Sequence, residues 1–197
     1  MIDYEPPVSG YVYVIDHKAE RARIAFEFFR MKGWTKEQAA GIVGNLQAET
    51  GPNLKYEGLV GDRGTAFGLA QWRFDRVKKY ENLFGEKLKY ASFNNQLEYI
   101  HWELTHPESR ERQAGAKLKE AKTAAAAAVL VDKHYERSSG HHRKKRVQNA
   151  QSLLASFAGV IEAPFRALFD PQPRKKIVRQ AARKTFKGNR NWNRRRT

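Results

Sequence analysis

A helix whose start and stop are both written into the chain does most to limit how this sequence can fold. It lies in the stretch TKEQAAGIVGNLQAETGPNLKYEGLVGDRGTAFGLAQW, residues 35–72. Thr35 and Gln38 have the spacing of a capping box, in which each side chain satisfies a backbone donor that the first turn leaves orphaned. Ala39, Ile42, Leu46 and Glu49 then recur at intervals of three, four and three, which is one face of a helix. Gly51-Pro52 ends it, because the proline disfavours helical geometry at the residue before it.

Glu49 therefore falls in the last turn, on the stripe expected to face the core. An anion there meets the negative end of the helix dipole, at a cost of roughly 0.3–1 kcal/mol. A carboxylate on an apolar face also loses hydration, which favours its protonated form. Local rules are broken in this way where function outranks stability, and a carboxyl kept protonated near neutral pH is what a general acid needs. On helix position alone, rotation of Glu49 out to solvent stays an open alternative. Beyond the helix, Gly51, Gly58, Gly61 and Gly64 punctuate a segment leading into Phe67-Gly68-Leu69-Ala70-Gln71-Trp72. Glycines permit positive φ and close backbone approach, so a loop or small hairpin is predicted. Gln71 and Trp72 then offer an amide and a flat ring, which suits a sugar; a lone Trp is as readily core.

Ala48-Glu49-Thr50, a loop of 17 residues and then Gly68-Leu69-Ala70-Gln71 resemble the lysozyme-like lytic transglycosylases, with their Glu-Ser pair and Gly-Leu-Met-Gln motif. The chain is more similar to the phage tail lysozyme family. That resemblance runs through Gly33-Trp34-Thr35, Glu37 to Glu49, Gly68 to Trp72, Ala91-Ser92 with Gln96-Leu97, and Tyr135-Glu136-Arg137, roughly residues 20–137. Thr50 stands where Ser is commoner and keeps a hydroxyl.

The resemblance implies a mainly α, lysozyme-like α+β domain that cleaves the β-1,4 bond between N-acetylmuramic acid and N-acetylglucosamine. Glu49 is then the catalytic acid, and Thr50, Phe67, Gln71, Trp72 and Tyr135 are the substrate-binding residues. A hydrolase needs a second carboxylate; Asp62 in the Gly-rich loop is the candidate, with Glu57 behind it. A loop Asp is equally an ordinary turn former. Without a second carboxylate, one Glu serves as acid and then base, and the muramyl 6-hydroxyl closes to a 1,6-anhydro product.

Neither cofactor nor metal is expected. Cysteine is absent, which excludes disulfides and thiolate metal sites, and His101 and His106 have poor spacing for one helical face. Residues 1–7 have neither a basic flank nor an apolar run, so no secretory signal is expected, and no run approaches the roughly 18 apolar residues of a membrane span. Of the 37 Lys and Arg, 11 lie in residues 171–197, which hold none of the 21 acidic residues, leaving +5 for residues 1–170.

Four parts are expected: an arm over 1–16, a catalytic domain over 17–140, a helical extension over 141–170 with its helix from Val147 to Phe169 interrupted at Pro164, and a flexible basic tail over 171–197. Asp16 is the expected cap of a first helix ending at Met31. His141 to Arg146 reads as a solvated basic run. In the tail, Arg174, Lys175, Lys176, Arg194, Arg195 and Arg196 are the candidates for contact with DNA or an acidic partner. These features fit a virion protein, in the tail or internal core of a multi-subunit particle, that opens the wall as the genome enters the cell. Its partners would be peptidoglycan strands, other virion proteins and DNA. A structural or DNA-contacting virion protein on the same scaffold and a late-acting endolysin are the alternatives.

Overall fold

The computed structural model describes residues 20–57, 60–61 and 64–157. The expected arm, the Asp16 cap, the chain from Ala158 through Pro164 to Phe169, and the basic tail lie outside the described residues. The expected mainly helical class holds: seven α-helices and one two-stranded hairpin are present among the described residues.

α1 (Arg21–Met31) is followed by α2 (Lys36–Thr50). The capping box forms as predicted: Thr35 Oγ1 accepts from the Gln38 amide at 3.2 Å, and Gln38 Oε1 accepts from the Thr35 amide at 3.0 Å. α3 (Phe74–Phe84) stops at Gly85, whose φ of 69° is the left-handed cap that glycine adopts without strain. α4 (Phe93–Thr105) starts where Ser92 Oγ accepts from the Asn95 amide at 3.2 Å. α5 (Arg112–Leu118) and α6 (Ala124–Val131) follow, the latter capped by Thr123. A π turn (Asp132–Glu136) continues α6, and α7 (Arg143–Phe157) completes the described chain.

α2 is the axis of the packing because two of its glycines let neighbours come close. A Cβ on Gly41 would stand 2.7 Å from the Ala127 carbonyl carbon of α6. One on Gly44 would stand 2.7 Å from the Ala150 amide nitrogen of α7. Small residues on both sides bring the backbones together, and the buried Ala127, Ala128 and Ala150 fill the space. α7 starts at Arg143, earlier than the expected Val147, and buries Ala150 and Leu153 in the same core as α2. The expected boundary at residue 140 thus falls between two elements that share one core.

β1 (Val60–Gly61) and β2 (Ala66–Phe67) pair antiparallel, Gly61 opposite Ala66. Phe67 and Trp72 then exchange both backbone hydrogen bonds, at 3.0 and 2.9 Å, closing Gly68 to Gln71 into a tight loop. Gln96 of α4 pins it by accepting from the Leu69 amide at 2.9 Å, and that close approach leaves no room for a Cβ at Gly68.

Candidate active site

Glu49 ends the stripe that Ala39, Ile42 and Leu46 begin, and those three are buried. Its carboxylate does not share their apolar surroundings. The Glu49 side chain is 27% exposed, and Arg146 of α7, only 3% exposed, donates from Nη2 to Glu49 Oε1. The expectation of a dehydrated carboxyl on an apolar face is therefore not met, because α7 carries a cation to it. Thr50 is buried, and its hydroxyl donates to the Leu46 carbonyl at 2.8 Å, so it caps its own helix.

Arg146 is itself positioned by three further groups. Nη1 donates to Asn45 Oδ1 at 3.0 Å and to the Asn45 carbonyl at 3.3 Å. Nε lies 3.1 Å from Asp132 Oδ1, an ionic contact without hydrogen-bond alignment. Asn45 is fixed by donating Nδ2 to the carbonyls of Gly41 (2.8 Å) and Ala128 (3.0 Å). Fully buried Asp132 also accepts from Arg143 Nε at 2.9 Å and from the Ser138 hydroxyl. Several donors around one buried carboxylate offset the cost of burying it.

The π turn adds one residue to the helical turn after α6 and so shifts the facing of the side chains that follow. Tyr135 is buried by it, and Glu136 has its Oε1 enclosed with no hydrogen-bond partner. Arg137, at φ 52°, ends the turn. Burial, then repulsion from Glu49, pushes the Glu136 carboxyl up to about 8; Arg76 and Arg146 oppose this and Glu103 adds to it.

Beside this lies a second polar centre. Glu103 of α4, 1% exposed, accepts from Trp72 Nε1 at 2.8 Å and from the Tyr135 hydroxyl at 2.5 Å. Arg76 grips the same carboxylate with two parallel bonds of 2.6 and 2.7 Å and lies over the Tyr135 ring, 4.8 Å from its centroid. Burial alone weakens the Arg76 charge, but Glu103 foremost, with Tyr135 and Glu136, raises its pKa above the usual value. Burial and Glu103 likewise raise the Tyr135 hydroxyl.

Of the residues singled out for substrate, Trp72 and Tyr135 are 0% and 2% exposed. They turn their polar tips to Glu103 and offer no open face to a sugar. Phe67 is half-buried against the core. Gln71, at φ 46°, donates Nε2 to the Gly68 carbonyl at 2.9 Å and lays its Oε1 over Gly61. Glu57 pairs with Arg21, and that hydrogen bond, against the opposing effect of burial, holds its carboxyl down to about 2. Asp62 and the six tail cations from Arg174 to Arg196 lie outside the described residues. His101 accepts from Trp34 Nε1 at 3.3 Å, and His106 stacks on Trp102. A cleft of about 490 Å3 between α3 and the α4–α5 connection is lined by Phe74, Arg76, Lys79, Glu103, Glu108 and Arg137, among others, but not by Glu49.

Arg146, Glu103, Asp132 and Glu136 are absent from the sequence-derived site. Two lie on helical faces that the sequence shows, though nothing there marks them as site residues. Arg146 precedes Ala150 and Leu153 by four and seven residues, which is one helical face, and Glu103 lies three residues after Ile100 on another.

The model of the phage tail lysozyme family matches residues 20–157. Morphogenesis protein 1 of Bacillus phage B103 is 27% identical over 145 residues, which cover 70% of this chain and 39% of that protein. The chain thus spans about two-fifths of that relative's length.

Proposed function

Because this chain belongs to the phage tail lysozyme family, we propose that it is a virion-associated peptidoglycan glycosidase. It cleaves the β-1,4 bond between N-acetylmuramic acid and N-acetylglucosamine as the phage genome enters the cell. The observation that carries the reading is Glu49 itself: a partly exposed carboxylate at the end of the central helix, held by a buried arginine 97 residues away in sequence. A surface ion pair contributes little to stability. Burying the whole Arg146 guanidinium with Asn45 and Asp132 around it is costly, and makes most sense if Glu49 must be held in one place.

A carboxylate so held stabilises positive charge developing at the anomeric carbon and can take a proton from an attacking hydroxyl. Gln71 and Phe67, on the loop before α3, are the residues we assign to the sugar. Trp72 and Tyr135 support the site from below. Glu49→Gln preserves shape and removes the charge. It should fold and lose glycan cleavage, read as the release of soluble muropeptides from purified peptidoglycan; full activity would remove Glu49 from the mechanism.

A role in particle assembly is a second reading, supported by the name of the relative, a morphogenesis protein, and by the cationic residues 171–197. The two roles are compatible. A folded wild-type chain that cleaves no suitable glycan would favour assembly alone.

A further inference from the structure

We propose that the cleft between α3 and the α4–α5 connection holds the peptide that branches from the glycan strand, a zwitterion whose carboxylate meets Arg110 and whose ammonium meets Asp75. This rests on the glycosidase reading above, because the peptide belongs to the strand being cleaved.

The charges on the walls are divided in a telling way. Three pairs are closed on themselves: Arg76 with Glu103 at 2.6 Å, Lys79 with Glu108 at 3.2 Å and Arg137 with Glu111 at 3.2 Å. Asp75, in the first turn of α3, and Arg110, in the α4–α5 connection, line the same cleft, are exposed, and make no ion pair among the described residues. One unpaired charge of each sign, on the two walls of one cleft, selects a ligand that carries both signs. A polyanion gains little there, since Asp75 repels it and the three paired glutamates neutralise the cations beside them.

Phe74 adds an apolar face. Its side chain is 69% exposed at the same cleft, and its φ is 42°. A bulky residue in that left-handed region is strained, and strain of this kind clusters where a ligand is held. The branching peptide combines the matching parts: free carboxylates, the ammonium of its diamino acid and the methyl groups of its alanines. The two sugars by themselves carry no ammonium.

The cleft is also placed for a side peptide. Its lining starts at Arg73, two residues after the Gln71 assigned to the sugar. Direct contacts join it to Glu49 as well. Asp132, at the start of the π turn, meets the Arg146 that holds Glu49, and Tyr135, near its end, donates to the Glu103 that walls the cleft. One helical turn thus links the two regions, a span that a peptide attached to a seated sugar can cover.

The test compares full-length wild type, Asp75→Asn, Arg110→Gln and the double variant on soluble peptidoglycan strands and on the same strands stripped of peptide by an amidase. Lys89→Gln, which removes an exposed cation outside the cleft, controls for net charge. Wild type should cleave peptide-bearing strands with kcat/KM about tenfold above bare strands; each single variant should cut that ratio about threefold, through KM, and the double variant should bring it near one. Lys89→Gln should keep the wild-type ratio. The peptides freed by the amidase, titrated by calorimetry, should bind wild type saturably and lose that binding in the double variant. A wild-type ratio near one, a double variant that keeps the wild-type ratio, an equal loss in Lys89→Gln, or no saturable peptide binding to wild type would each overturn the inference. Wild type that cleaves neither substrate removes the glycosidase reading instead, and the peptide titration then still decides the cleft.

Discussion

Replacing Glu103 by alanine tests whether the buried polar cluster around it is built as described. Its carboxylate is 1% exposed and holds four donor atoms: Arg76 Nε and Nη2, Trp72 Nε1 and the Tyr135 hydroxyl. Breaking a buried ion pair by removing one partner costs about 3–5 kcal/mol, because the other charge is left uncompensated. Stranding the indole and phenol donors costs about 1–3 kcal/mol each when nothing replaces the acceptor. These costs overlap, since water entering the vacated space relieves them together, so about 4 kcal/mol is expected for the whole. That is a large share of the roughly 5–15 kcal/mol that holds a domain folded. With a urea m-value of about 2 kcal/mol/M, the midpoint should fall by about 2 M. Tryptophan fluorescence reads the transition directly through the buried Trp34, Trp72 and Trp102. Trp72→Phe, which removes one donor and keeps the ion pair, should cost only about 1 kcal/mol. A Glu103→Ala midpoint within about 0.5 M of wild type, or equal effects of the two variants, would refute the hub.

Three other outcomes follow from the packing and the buried groups. Gly44→Ala would put a Cβ 2.7 Å from Ala150 N and 2.9 Å from its Cα; displacing α7 should cost about 1–3 kcal/mol in urea unfolding, whereas Gly85→Ala, at an open left-handed cap, should cost no more than about 1 kcal/mol. Arg146→Ala leaves the buried Asp132 with Arg143 alone among the cations of the described residues and should destabilise by about 3 kcal/mol, a loss that denaturation of the variant would miss only if the pair were not buried. Burial, helped by Lys32 and Lys119, lowers His101 from 6.5 to about 4; the folded state therefore binds its proton less readily, so this contribution is complete above pH 6.5 and is lost as pH falls through about 4. It amounts to about 3 kcal/mol, and His101→Gln, which keeps an acceptor for Trp34, should flatten that part of the acid limb of a stability–pH profile.

The local signals that predicted elements are those whose physics is local. Thr35 with Gln38 acts on backbone groups within four residues of itself, so α2 begins where a reading of neighbours places it. Glu49 was legible as an anomaly for the same reason. Its partner was not. Arg146 closes a run of basic residues, which reads as a solvated face, and only the approach of α7 to Gly44 turns that one side chain inward. Glu103 was hidden for a related cause: a glutamate inside an apolar stripe has meaning only once Trp72, Arg76 and Tyr135 arrive from other elements. The π turn has no sequence period of its own to detect. Trp72 and Tyr135, expected at the sugar, donate to Glu103 in the fold, and an aromatic ring reads the same whether it faces a ligand or a buried carboxylate. The boundary expected at 140 rested on the polar stretch from Glu136 to Gly140, and such a stretch marks a connection between helices as readily as the edge of a domain.

Mass spectrometry of purified peptidoglycan after digestion by wild type and by Glu49→Gln tests the central claim most directly. Glycan fragments with newly formed muramic-acid ends from the wild type alone are the predicted result. The same fragments from both chains, or none from a folded wild-type chain, would contradict it.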